Sequence, residues 1–107
     1  MKFTAIILAR NSSSRFRGKH FKQIGNKYVI EHTIKCLIDN ENISEVYIAT
    51  GPFKKNNIFK KKLSPIFNNL KFYFHRNENR VVERIFFLSK KIRQKNLIII
   101  SGDCPLI

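Results

Sequence analysis

The sequence predicts an α/β fold, a mainly parallel sheet covered by helices. Short, continuously apolar runs recur along the 107 residues, as expected of strands buried on both faces. Segments of helical period lie between them, so that strand and helix alternate, which is the pattern of right-handed β-α-β units.

Phe3 to Ala9 is the first strand, and polar residues follow abruptly from Arg10 to Lys22 as a long loop. Gly25-Asn26 marks a turn, after which Ile30, Ile34, Leu37 and Ile38 recur at helical spacing. Glu45 to Ala49 is the second strand. A short basic helix is expected between Asn56 and Leu63, where Pro65 prevents its smooth continuation. Leu70 to Phe74 is the third strand. Val81, Ile85, Leu88 and Ile92 fall at i, i+4, i+7 and i+11 and give the clearest amphipathic helix, with Leu97 to Ile100 as the fourth strand. The phenylalanines, Phe86 and Phe87 included, are expected to build core. No repeat, low-complexity segment or linker divides the chain.

In open sheets of this kind, ligands sit beyond the carboxyl ends of the strands where the winding direction reverses. If the fourth strand returns beside the first, the loops after Ala9 and after Ser101 become neighbours. Those two loops carry the unusual chemistry.

The net charge is +14, yet Lys, Asn, Ile and Phe are abundant throughout, so the excess reads as a general residue bias. Lys60, Lys61 and Lys62, preceded by Lys54 and Lys55, form the one dense run and read as a solvated face. Nucleic acid is therefore not the favoured partner. With 43% hydrophobic and 26% charged residues the chain should fold. Cys36 and Cys104 lack metal or redox spacing, and His20, His32 and His75 have no assignable ligand partner, so they read as ordinary surface or half-buried histidines. No apolar run is long enough for a signal peptide or a membrane span, which leaves a cytoplasmic setting and no membrane partner as the expectation.

Arg10-Asn11-Ser12-Ser13-Ser14-Arg15-Phe16-Arg17-Gly18-Lys19 sets small hydroxyl residues beside three arginines and a lysine. Phosphate binding needs that mixture: close backbone approach, N–H and O–H donors, and cationic charge. A mobile basic loop is the competing reading. It is not a P-loop, because His20 follows Gly18-Lys19 and Ser13 stands where that motif wants glycine. At the other end, Ser101-Gly102-Asp103-Cys104-Pro105 follows a buried strand at once, and a carboxylate there could hold a magnesium ion bridging phosphates. The competing reading of Asp103 is a turn residue. Cys104 reads as a small packing residue.

The first loop resembles the A-R-x-G-S-x-R-x-P-G-K signature of the cytidylyltransferases that activate acidic sugars, including CMP-acylneuraminate and CMP-Kdo synthetases. The ending Gly102-Asp103-Cys104-Pro105-Leu106-Ile107 most resembles the spore-coat polysaccharide branch. Gly25-Asn26-Lys27 with Glu31-His32, Val46 to Thr50, and Glu83-Arg84 fall in the family's order, so the likeness runs through essentially the whole chain. Ser12 stands where glycine is usual, and Arg17 replaces a proline.

The resemblance implies a Rossmann-like three-layer sandwich of the nucleotide-diphospho-sugar transferase type. It implies transfer of CMP from CTP to a sugar with release of pyrophosphate, serving polysaccharide biosynthesis. Arg10 and Lys19 would be catalytic through charge neutralisation. Arg10, Ser12, Ser13, Ser14, Arg15, Gly18, Lys19 and Arg84 would hold the nucleotide, and Asp103 would bind Mg2+. Resembling enzymes continue well beyond this motif, so residues 1–107 are expected to be the nucleotide-binding half of a domain that is incomplete at its carboxyl end. Such a piece should expose apolar surface or a strand edge, self-associate, and not complete turnover alone. The alternatives are a non-catalytic basic α/β fragment that binds nucleotide or nucleic acid, and a nucleotidyltransferase that uses another base.

Overall fold

The computed structural model describes residues 2–9, 23–76, 81–92 and 96–101. Its elements are β1 (Phe3–Leu8), β2 (Gln23–Ile24), β3 (Lys27–Tyr28), α1 (Val29–Ile38), β4 (Ile43–Thr50), α2 (Phe53–Leu63), β5 (Leu70–Phe74), α3 (Val81–Lys91) and β6 (Leu97–Ser101). Four strands form one sheet in the order β5-β4-β1-β6, and every pairing in it is parallel. The chain therefore winds outward from β1 through β4 to β5 and then returns to the other side of β1, which is the arrangement under which the two unusual loops become neighbours.

Period-two alternation divides the core between the two faces of the sheet. Ala5 and Ile7 of β1, Val46 and Ile48 of β4, and Leu70 of β5 pack with Ile30 and Ile34 of α1 and with Phe59 and Leu63 of α2. Ile6 and Ala49 point the other way and pack with Leu88 and Ile92 of the α3 region. Each fully buried Ile, Leu or Phe stabilises the fold by roughly 1.5–3 kcal/mol relative to exposure. Most of that burial lies on the α1 and α2 face.

Three local differences from the sequence reading have physical causes. Gly25-Asn26 is the loop of a two-residue hairpin, with Ile24 opposite Lys27 and Gln23 opposite Tyr28. Gly25 has φ +68, and no other described residue has positive φ. Glycine at the first central position is the requirement of a type II′ hairpin turn. Helix α2 begins at Phe53, ahead of the expected Asn56, because Pro52 ends the preceding turn with φ −56 and its carbonyl accepts both the N–H and the side-chain Nδ2 of Asn56.

The third difference is a correction. Phe86 and Phe87 are 53% and 39% exposed and do not build core. Leu88 and Ile92, one helical turn apart, already take the sheet-facing stripe of α3, and residues 86 and 87 fall on its outer flank. Phe86 packs edge-on to Phe87 and lies beneath Lys90 Nζ at 4.4 Å instead.

Among the described residues β6 has a strand partner only on its β1 side, and Ile99 is 47% exposed. Ile99 is apolar surface of the kind the sequence leads one to expect on this strand.

Candidate functional site

Strand β1 is the point where the winding reverses, with β4 on one side and β6 on the other. Its last residue, Leu8, is in register with both Ala49 and Ser101. The segments that begin at Arg10 and at Gly102 therefore continue from adjacent strand ends, at the crevice where doubly wound sheets take ligands. Arg10, Ser12, Ser13, Ser14, Arg15, Gly18, Lys19 and Asp103 all lie outside the described residues. Arg84 alone of the sequence-predicted site residues lies within them.

Arg84 is 2% exposed and ranks among the largest fully buried side chains. It sits one turn before Leu88 and so shares that residue's sheet-facing stripe. A buried guanidinium needs acceptors, because its desolvation is otherwise uncompensated. Nη1 donates to the Ala49 carbonyl at 3.3 Å, and the same carbonyl accepts the Ala9 N–H at 3.2 Å. Arg84 thus brings a positive charge to the carboxyl ends of β4 and β1, one residue before the serine- and arginine-rich segment starts.

His75 is 4% exposed at the same end of the sheet, more deeply buried than the surface or half-buried histidine expected from the sequence. It directly follows β5, and its N–H bonds the Thr50 carbonyl at 2.9 Å, extending the β4–β5 ladder by one bond. Its Nε2 lies 3.3 Å from Glu83 Oε1, its Nδ1 lies 3.4 Å from Tyr73 Oη, and its ring stacks on Phe87 at 5.7 Å. A cavity of about 300 Å³ beside it is lined by Tyr73, Phe74, His75, Arg76, Phe87 and Lys91. The signal available in the sequence was its position, a polar residue closing the apolar run Leu70–Phe74. Thr50 Oγ1, also at this end, is buried with no hydrogen-bond partner among the described residues.

The lysine run is elsewhere. Lys60, Lys61 and Lys62 occupy the last turn of α2. A crossover helix runs antiparallel to its strands, which puts that turn toward the amino ends of the sheet, away from the crevice. There the lysines are well placed against the negative end of the helix dipole.

Among the described residues, no group of three or more His, Cys, Asp or Glu side chains could hold a metal ion, and Cys36 is an exposed free thiol. No helix of the described residues is long and apolar enough to cross a membrane.

A parallel sheet that reverses at its first strand, with a buried cation at the reversal, defines an α/β domain of the doubly wound, Rossmann-like class. The chain belongs to the cytidylyltransferase family, whose profile matches residues 4–107. It is 28% identical over 105 residues to a 3-deoxy-manno-octulosonate cytidylyltransferase of Leptospira interrogans serogroup Icterohaemorrhagiae serovar Lai, covering 97% of this chain and 40% of that protein. The protein of the same name from Geotalea daltonii is 44% identical over 50 residues, 47% of this chain and 20% of its own length. Among solved structures, a CMP:2-keto-3-deoxy-manno-octonic acid synthetase complexed with CTP superposes with a TM-score of 0.82 at 25% identity, over 100% of this chain and 42% of that one. A cytidylyltransferase from Leptospira borgpetersenii serovar Hardjo-bovis superposes with a TM-score of 0.77 at 21% identity, over 100% of this chain and 44% of that one, and shows the shared fold. The resemblance to acidic-sugar cytidylyltransferases is thereby borne out. The chain spans 40% of the Leptospira interrogans relative that it matches nearly end to end.

Proposed function

We propose that residues 1–107 are the nucleotide-binding half of an enzyme that transfers CMP from CTP to an acidic sugar, in the cytoplasm and for cell-surface polysaccharide. The observation that carries this reading is the double register of Leu8 with Ala49 and Ser101, so that the basic sequence from Arg10 and the sequence around Asp103 follow neighbouring strand ends. The names of the relatives support CTP as the nucleotide and an acidic sugar as the acceptor.

In this reading a sugar hydroxyl oxygen bonds to the α-phosphorus of CTP and loses its proton to water, while the bond from that phosphorus to the bridging oxygen breaks and pyrophosphate leaves. Positioning and charge neutralisation supply most of the catalysis of such a step. Arg10, Arg15 and Lys19 neutralise the triphosphate, and the hydroxyls of Ser12, Ser13 and Ser14 with the backbone at Gly18 donate to its oxygens. Asp103 fits a magnesium ion by its chemistry: it is a hard carboxylate, the sole acidic residue after Glu83, and it lies two residues beyond the end of β6. When bound there, the ion would supply charge stabilisation to the phosphates.

Calorimetric titration of the chain with CTP, the other three nucleoside triphosphates and single-stranded RNA, each with and without magnesium, tests the reading. The expected result is magnesium-dependent binding with CTP the tightest ligand. Preference for another triphosphate would replace the base assignment, and tightest binding to RNA would replace the enzyme by a basic nucleic-acid module.

A further inference from the structure

Arg84 occupies the place of a helix segment that the family resemblance sets near the nucleotide, yet it is 2% exposed and has little surface left for a ligand. Its guanidinium reaches the Ala49 carbonyl at 3.3 Å, and that oxygen is also the acceptor of the Ala9 N–H at 3.2 Å. Ala9 is itself 5% exposed and is the last described residue before the basic loop. One carbonyl oxygen therefore joins three elements: α3 through Arg84, β4 through Ala49, and the end of β1 through Ala9. A bond at a strand end is normally the first to fray. Here a buried cation sits on its acceptor, which fixes the acceptor's orientation and holds β1 and β4 together at the crevice.

The neighbouring contacts brace the same junction. Glu83, adjacent to Arg84 in α3, lies 3.3 Å from His75, whose N–H is fixed to Thr50, the residue after Ala49. Helix α3 is thus tied to two consecutive residues of β4 at its carboxyl end. Leu88 and Ile92 add the apolar half of the attachment.

We infer that Arg84 is a positioning residue for the nucleotide site: it fixes the peptide at Ala9 from which the phosphate-binding loop departs, and acts on the nucleotide through that peptide without touching it. The inference rests on the proposed CTP reading for its functional consequence, while its structural core, the Arg84–Ala49–Ala9 junction, can be measured without any ligand.

The experiment compares the unaltered chain with Arg84→Met, which keeps the stem and removes the charge, and Arg84→Lys, which keeps a charge on a shorter reach. Amide hydrogen exchange at Ala9, thermal midpoint, affinity for magnesium-CTP, and the Arg84 Nε–H resonance with and without CTP are recorded for each. In Arg84→Met, Ala9 should exchange at least about tenfold faster and CTP affinity should fall about tenfold, as for loss of one charge-assisted contact. Arg84→Lys should recover part of both. In the unaltered chain the Arg84 Nε–H resonance should stay in place when CTP is added. A large CTP-induced shift of that resonance with unchanged Ala9 exchange in Arg84→Met would make Arg84 a direct ligand and overturn the inference. A lowered midpoint with Ala9 exchange and CTP affinity unchanged would make it a packing residue, which also overturns it. If the unaltered chain does not bind CTP, the proposed function fails, and Ala9 exchange still decides whether Arg84 holds the end of β1.

Discussion

His75 Nε2 stands 3.3 Å from Glu83 Oε1 and so links the residue that follows β5 to the first turn of α3. The histidine is buried and its ring is stacked on Phe87, so both its shape and its polarity are used. His75→Phe keeps a ring in the stack and removes the contacts to Glu83 and to Tyr73 Oη. It should destabilise the chain by about 0.5–1.5 kcal/mol, the net worth of the one ring hydrogen bond, that with Tyr73 Oη, since Nε2 approaches Glu83 at ion-pair distance without a hydrogen bond. Urea unfolding measures this directly; unchanged stability would mean that the stack alone holds the junction.

The exposed pair between Lys71 and Glu45 should contribute far less. Lys71 Nζ donates to Glu45 Oε2 at 2.8 Å across β4 and β5, and this bond holds the Glu45 carboxyl below its ordinary value and raises Lys71 above its own. Because the folded value of Glu45 is depressed, its contribution is present above the unfolded glutamate value and is lost as pH falls through the folded one. The raised Lys71 value makes the lysine contribution present below the unfolded lysine value and lost as pH rises through the folded one. The two side chains are 55% and 36% exposed, so solvent screening limits the pair to about 0.2–1 kcal/mol. Lys71→Met should cost no more than that at about pH 7 in low salt, and the difference should vanish at about 1 M salt, where the screening length is about 3 Å. Urea unfolding at both salt levels checks it; a loss above about 2 kcal/mol would require a packing role for the lysine stem over Tyr47.

Arg15→Ala and Lys19→Ala should each weaken CTP binding by about 1.5–3 kcal/mol while leaving CMP binding nearly unchanged, since their proposed partners are the outer phosphates. Equal losses for CTP and CMP, read by calorimetry, would remove both residues from the triphosphate contact.

Asp103→Asn should abolish the magnesium dependence of CTP binding with the fold intact, because an amide is a poor ligand for a hard cation. If magnesium still strengthens binding in that variant, Asp103 is a turn residue only.

The strands themselves were legible as short, mostly apolar runs such as Ala5–Leu8 and Leu97–Ile100, while their order was open, since nothing local says on which side of β1 a later strand returns. The α3 stripe was legible at Leu88 and Ile92 but misread at Phe86 and Phe87, since residue type says apolar and only helical phase says outward. The hairpin around Gly25 was too short to show an alternating pattern. At the site, Arg84 could be named from the family likeness, but its burial against the Ala49 carbonyl could not, because nothing local marks a long-range acceptor 35 residues away. His75 was undervalued for the same reason: its partners Thr50 and Glu83 come from β4 and α3.

The central claim is that nucleotide binds at the carboxyl ends of β1 and β6, and amide chemical-shift mapping with magnesium-CTP tests it most directly. The predicted result is that the largest shifts fall on Ala9, Ala49, Ser101 and the segment Arg10 to Lys19, with Lys60, Lys61 and Lys62 in the last turn of α2 unaffected. Shifts concentrated on Lys60 to Lys62, with Ala9 and Ser101 unmoved, would contradict it and make the far end of the basic helix the binding surface.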